Sequence, residues 1–253
     1  MTQSRPRAHD SQVVHVRGLR FRIRIRVEGE GDPLLLLNGL TRPLESWGPF
    51  TQELSGRTIV SFDAPGVGGS PTPILPLSIS MLARIAAAVL DEAGLDRADV
   101  LGFSHGGAVA QQLAVHAPAR VRRLVLVSTS CGLGATPGSQ DAVRGLRRPS
   151  DAHSWPRPDA VGALWHSLAI SSWSSIPFLG AIRAPTLVVC GDRDRVVPPA
   201  NSTLLARRIP GAGLVMLPAG HDLQRRGQAS VLVSTVEPFL AAARVMKPQP
   251  VSD

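Results

Sequence analysis

Six short apolar runs recur along the chain: Leu34–Leu37, Thr58–Phe62, Asp99–Phe103, Leu124–Val127, Thr186–Cys190 and Gly213–Leu217. A strand that is apolar at successive positions, rather than at every second one, is expected to be covered on both faces. Between or after these runs lie stretches with helical patterning, Ser78–Ala93, Gly106–His116, Pro199–Arg208 and Ala229–Val245. Pro238 falls within the last of them, so that helix is expected to kink or split there. Short buried strands alternating with single helices are joined by crossover connections, which makes the strands parallel and puts helices on both faces of the sheet. The expected fold class is therefore α/β, with a mostly parallel sheet.

Two segments depart from this alternation. In Val13–Val27, Phe21, Ile23, Ile25 and Val27 alternate with Arg20, Arg22, Arg24 and Arg26, and Gly18 lies near the middle. That period of two predicts a hairpin whose second arm is a half-buried antiparallel strand near a sheet edge, its arginine row a wet face on which charge deters edge pairing. The segment Cys131–Ala184 contains four prolines from Pro137 to Pro158 and short apolar pieces such as Gly162–Ile170, but no strand pattern. An excursion of this kind between two buried strands suits a cap over the sheet. The domain organisation expected is a core formed by residues 1–130 and 185–253, interrupted by a cap at 131–184.

Composition removes several classes of function. With 253 residues, 43 % of them hydrophobic, the chain can bury a core without disulfides or metals. Its two cysteines, Cys131 and Cys190, form no CxxC pair and no disulfide framework, so both are expected as buried, reduced thiols. The 27 Lys and Arg residues exceed the 19 Asp and Glu residues for a formal charge of +8, yet no basic run is longer than a pair. Aromatic residues make up only 4 % and Tyr is absent. Scattered arginines without stacking aromatics describe a solvated basic surface rather than a nucleic-acid site. The N-terminal stretch Met1–Gln12 is polar, and Leu34–Leu37 is far too short to span a bilayer, so a cytoplasmic chain with no transmembrane segment is expected.

The stretch Gly102-Phe103-Ser104-His105-Gly106 carries Gly-x-Ser-x-Gly between an apolar run and a helical one. In that setting the serine occupies a strained strand-to-helix turn, glycine relieves crowding on either side, and the hydroxyl is exposed above the sheet. A serine hydroxyl needs a base to become a nucleophile, and the base needs a carboxylate to orient it. Of the seven histidines, His9 and His15 precede Ser104 in an unsuitable region, His116 lies on a helix, and His153 and His166 fall in the expected cap. His221 follows the run Gly213–Leu217, at the carboxyl end of a strand where open α/β sheets build their sites. Asp192 and Asp194 compete for the acid: Asp192 is close to the strand and suited to holding the turn, whereas Asp194 is better placed to reach a neighbouring loop. Asp194 is favoured on that ground. Two backbone N–H groups would receive an oxyanion, that of His105 and that of Leu40 in the glycine turn Asn38-Gly39-Leu40. The His105 ring is expected to line the pocket and not to serve as the base. Two further patterns carry no chemistry. Gly66-Val67-Gly68-Gly69-Ser70 has Pro71 where a dinucleotide loop needs glycine, and the only lysine, Lys247, is in no phosphate-binding loop. No His/Asp/Glu cluster has metal-ligand spacing, and no cofactor is expected.

On the blocks Asn38–Leu40, Phe62–Ser70, Gly102–Gly106, Pro185–Asp194 and Gly220-His221 the chain resembles the α/β-hydrolase superfamily over nearly its whole length. The resemblance implies the α/β-hydrolase fold and also points to Asp194, the aspartate three residues after Gly191, as the acid. More narrowly, Asp63–Pro71, Ser172–Pro177 and Val197–Asn201 are similar to the intracellular poly(3-hydroxyalkanoate) depolymerases of bacteria. That resemblance implies hydrolysis of ester bonds in stored polyester on granules. The chain departs from that family in carrying His105 where Trp is usual, and in the shortness of the segment 131–184. Other enzymes sharing such a triad are short-chain carboxylesterases, lactonases, carbon–carbon bond hydrolases and cofactor-free haloperoxidases. A serine at position 104 disfavours dehalogenases and epoxide hydrolases, which need Asp there, and an intact triad argues against a silent binding protein on the same scaffold.

Overall fold

The structure is a computed structural model that describes residues 12–16, 19, 21–145, 155–156 and 159–242. Eight strands form one sheet: β1 (Gln12–His15), β2 (Arg22–Glu28), β3 (Asp32–Leu37), β4 (Arg57–Phe62), β5 (Ala98–Phe103), β6 (Val121–Val127), β7 (Thr186–Gly191) and β8 (Gly213–Leu217). Their order across the sheet is β1-β2-β4-β3-β5-β6-β7-β8. The pairs β1–β2 and β2–β4 are antiparallel, and every later pair is parallel. The helices are α1 (Gly48–Thr51), α2 (Ile79–Glu92), α3 (His105–His116), α4 (Gln140–Gly145), α5 (Ala160–Ser171), α6 (Pro199–Arg208) and α7 (Ala229–Ala241).

The apolar strands are explained by two separate cores, one on each face. Leu35 and Leu37 of β3 pack into one with Val60, Val100, Leu126 and the buried sides of α2 and α3. Leu34 and Leu36 pack into the other with Trp47, Phe50, Val125, Val189 and the buried side of α7. All four leucines are therefore buried, as a strand covered on both faces requires. The Ser78 side chain accepts a hydrogen bond from the Met81 N–H and caps α2, which defines where that helix starts.

Some expectations need correction. Gly213–Leu217 is an edge strand with Met216 exposed, because among the described residues no strand pairs beyond it. β6 begins at Val121 rather than Leu124, since Arg122 and Arg123 belong to the strand and pair with the buried Asp99. The arginine row of β2 is not simply a wet face: Arg24 is mostly buried and bonds Asp63 and Glu45. The last helix neither splits nor ends at Pro238, which lies inside α7. The expected turn residue Gly18, together with Arg20, His9, His153, Lys247 and the end of the stretch 229–245, lies outside the described residues.

Within 131–184, a β-bridge joins Gly132 to Ser174. Helix α5 is N-capped by Asp159, whose carboxylate accepts from the Gly162 N–H at 2.8 Å and from Thr72 Oγ1 at 2.7 Å. Trp165 Nε1 donates to the Pro73 carbonyl at 3.1 Å, and His166 Nε2 bonds the Pro65 carbonyl at 2.9 Å. These contacts seat α5 on the loop between β4 and α2, at the carboxyl edge of the sheet.

Candidate active site

Ser104 joins β5 directly to α3, with φ 51° and ψ −117°. This left-handed backbone is strained for any residue with a side chain. The turn is possible because nothing projects from the flanking glycines: a β-carbon at Gly102 would meet the Gly106 carbonyl, and one at Gly106 would meet the carbonyl of Leu37 on β3. Thr129 supports the turn from the next loop, its Oγ1 donating to the Ser104 carbonyl at 2.7 Å.

The elbow brings the serine to a histidine from a distant loop. Ser104 Oγ lies 3.1 Å from His221 Nε2, and His221 Nδ1 lies 2.8 Å from Asp194 Oδ2. Both His221 and Asp194 are buried, at 7 % and 3 % exposure, while Ser104 is partly open. The other oxygen of Asp194 accepts from the N–H groups of Val196 and Val197, each at 2.9 Å. Turn-holding, expected of Asp192, thus falls to Asp194. The Asp192 side chain is half exposed beside Arg193. The ring of Phe103 packs against His221 with centroids 5.1 Å apart.

Leu40 follows β3 and His105 follows β5, which are adjacent strands, so their N–H groups arise at one end of the sheet. The His105 N–H is at the first position of α3, where no intrahelical partner exists. The positive end of that helix points toward the same place. The loop that carries Leu40 is fixed by Asn38. Its Nδ2 donates to the Pro43 carbonyl at 2.8 Å and to Ser46 Oγ at 2.7 Å, and its Oδ1 accepts from the Gly39 N–H at 3.0 Å. Gln224, three residues beyond His221, donates to Ser46 Oγ at 3.1 Å. Arg42 reaches Asp222 at 2.7 Å and lies over the Phe103 ring, 5.2 Å from its centroid. No pattern in the sequence marks the side chains of Asn38, Phe103, Arg42, Thr129, Asp222 or Gln224.

Beside the elbow a cavity of about 30 Å³ opens between the loop after β3 and helix α5. His105 and His166 form part of its wall, ring centroids 5.0 Å apart and edge to face. Burial holds the His105 ring well below its ordinary pKa of 6.5, and the neighbouring His166 adds to this. Burial also lowers His166, against the opposing effect of its bond to the Pro65 carbonyl. Both rings are thus neutral at neutral pH. His15 and His116 lie away from this group, on β1 and at the end of α3. The glycine loop 66–70 wraps the buried Asp63, which accepts from the Gly69 N–H at 2.7 Å and the Leu44 N–H at 2.7 Å. Among the described residues no three His, Cys, Asp or Glu side chains could hold a metal, and no helix is long and apolar enough to cross a membrane.

A family model described as the alpha/beta hydrolase fold matches residues 32–166 and 156–225. The chain belongs to the α/β-hydrolase fold family, and within it the protein is a hydrolase. It is 34 % identical to a poly(3-hydroxyalkanoate) depolymerase of Ectopseudomonas oleovorans, over 87 % of this chain and 89 % of that protein. It is 29 % identical to a 2-hydroxymuconate semialdehyde hydrolase of Pseudomonas putida, over 88 % of this chain and 92 % of that one. The crystal structure of the enol-lactonase from Burkholderia xenovorans LB400 superposes with a TM-score of 0.81 at 26 % identity, covering 91 % of this chain and all of that chain.

Proposed function

We propose that the protein hydrolyses carboxylic esters, with Ser104 as nucleophile, His221 as general base and acid, and Asp194 as the carboxylate that orients the imidazole. The observation that carries this reading is the hydrogen-bonded series Ser104 Oγ, His221 Nε2, His221 Nδ1 and Asp194 Oδ2. His221 Nε2 takes the Ser104 proton as Oγ attacks the ester carbonyl. The N–H groups of Leu40 and His105 receive the oxyanion of the tetrahedral intermediate. Asp194, held by Val196 and Val197, keeps Nδ1 protonated and stabilises the imidazolium that forms. His221 then protonates the leaving alcohol, and water repeats the sequence to release the acid and free Ser104.

The likeness to a poly(3-hydroxyalkanoate) depolymerase supports hydroxyacyl esters as substrates, polymeric or small, and with them a storage-granule surface as partner. Residues 131–184 act as a cap over a core made of 1–130 and 185–253, in keeping with the seating of α5 beside the elbow. Two buried, unpaired cysteines accord with a reducing, cytoplasmic setting. The likeness to a semialdehyde hydrolase favours a second reading, cleavage of a carbon–carbon bond by the same residues.

Hydrolysis of p-nitrophenyl esters from acetate to dodecanoate, with emulsified polyhydroxyalkanoate alongside, tests the proposal. The parent protein should cleave them, Ser104→Ala should not, and a fluorophosphonate should label Ser104. An unchanged rate in Ser104→Ala overturns the mechanism.

A further inference from the structure

The cavity lined by His105 and Gly106 of the elbow meets a polar atom for which the chemistry above has no use. Nε2 of His105 is buried without a hydrogen-bond partner among the described residues, on a side chain that lines the cavity. The residue as a whole is only 8 % exposed. His166 cannot relieve it, because that ring meets His105 edge to face and bonds the Pro65 carbonyl through its own Nε2. Leu37, Phe62, Leu82 and Val109 supply apolar wall, and Asn38, Thr41 and Arg42 are its other polar side chains. A buried imidazole nitrogen with no partner carries a desolvation penalty that a correctly placed ligand atom removes. Its neutrality lets it offer that bond without moving a charge.

We propose that His105 is a specificity-determining residue: its ring nitrogen hydrogen-bonds an oxygen carried on a short acyl chain lodged in this cavity. Esters of short, oxygen-bearing acids are then cleaved in preference to their hydrocarbon isosteres. The inference rests on the ester-hydrolase reading. Its logic is that of a site built around a polar group, which rejects an analogue that leaves the group unpaired far more strongly than an apolar site rejects a missing methylene. A space of about 30 Å³ suits the end of a short chain. His166 acts here as a positioning residue, holding the His105 ring edge-on.

The test compares p-nitrophenyl 3-hydroxybutyrate with p-nitrophenyl 3-methylbutyrate, in which a methyl replaces the hydroxyl. Each kcat/KM is divided by the rate of the same ester with hydroxide. The parent protein is expected to favour the hydroxy ester by about tenfold, the ratio that one hydrogen bond of ordinary net strength supplies. His105→Phe, which keeps a flat ring and removes the nitrogens, brings the ratio to one or below. His105→Gln, which restores a polar group, recovers part of it. A ratio near one in the parent protein, or an unchanged ratio in His105→Phe, overturns the inference and leaves a solvent-filled cavity. The acetate ester separates this failure from that of the underlying reading. Acetate cleaved through Ser104 without discrimination between the isosteres removes only the role of His105. Acetate left intact removes both.

Discussion

Arg42 and Asp222, 180 residues apart in the chain, meet through Arg42 Nη2 and Asp222 Oδ2 at 2.7 Å. Their side chains are only 10 % and 18 % exposed. Arg42 belongs to the loop that carries Leu40, and Asp222 directly follows His221, so the pair ties the expected oxyanion donor to the expected base. Arg42→Gln and Asp222→Asn should each lower kcat for a p-nitrophenyl ester by about tenfold, a loss of about 1.4 kcal/mol of transition-state stabilisation. Because the two act as one contact, the double variant should be no slower than the poorer single one. Additive losses would show that they act separately.

Asp192 and Asp194 are two residues apart and chemically alike, and only one touches His221. Asp194→Asn should reduce kcat by about 10⁴, since an amide there favours the wrong imidazole tautomer. Asp192→Asn should stay within about twofold of the parent. Steady-state kinetics on one ester decide between them, and comparable losses in both would reassign the acid.

His105 and His166 predict how stability depends on pH. Both have folded-state pKa values below 6.5, chiefly through burial. In the unfolded chain they titrate near 6.5, so as pH falls through that value the unfolded state binds protons that the folded state does not. Their contribution is therefore complete well above pH 6.5 and declines below it. The thermal midpoint should fall between about pH 7.5 and pH 5.5, and the double variant His105→Gln/His166→Gln should show a shallower slope. An identical slope in the two proteins would rule out these rings as the source.

Asp99 sits fully buried at the opposite end of β5 from Ser104, facing Arg57, Arg122 and Arg123. Arg57 is itself only 3 % exposed and also bonds Glu237 of α7. Asp99→Ala leaves Arg57, Arg122 and Arg123 with only the partly exposed Glu237 and the exposed Asp32 as acidic partners, and breaking a buried network in this way costs about 3–5 kcal/mol. For a chain of this size the thermal midpoint should drop by roughly 6–20 °C. Activity at room temperature should be retained, because the network lies at the edge of the sheet away from the elbow.

The alternation of apolar runs and helices was enough to anticipate the sheet, since burial on both faces leaves a run with no polar interruption. The approach of Ser104, Asp194 and His221 was legible for the same reason: each lies just beyond the carboxyl end of a parallel strand, and parallel strands present those ends together. The contact between Arg42 and Asp222 was not legible, because it joins two irregular loops and neither loop has a periodic pattern. His166 read as one more histidine of an inserted segment, since its value comes from α5 lying over Pro65. The burial of Arg24 is invisible in the pattern, because a period of two tells which side of a strand a residue occupies, and not that Asp63 lies there. The start of β6 is hidden in the sequence because Arg122 and Arg123 interrupt its apolar run, and the acid that neutralises them is on the neighbouring strand.

The four leucines of β3 face opposite ways in strict alternation, so a single strand is the shared wall of both apolar layers. Neither layer can melt while the other stays intact, because each would expose the back of the same wall. The elbow rests on that wall through Gly106, against the carbonyl of Leu37. Slow amide exchange should accordingly extend from β3 across β5 to the Ser104 N–H, which donates to the Val127 carbonyl at 2.9 Å, placing Ser104 in the last region of the molecule to open.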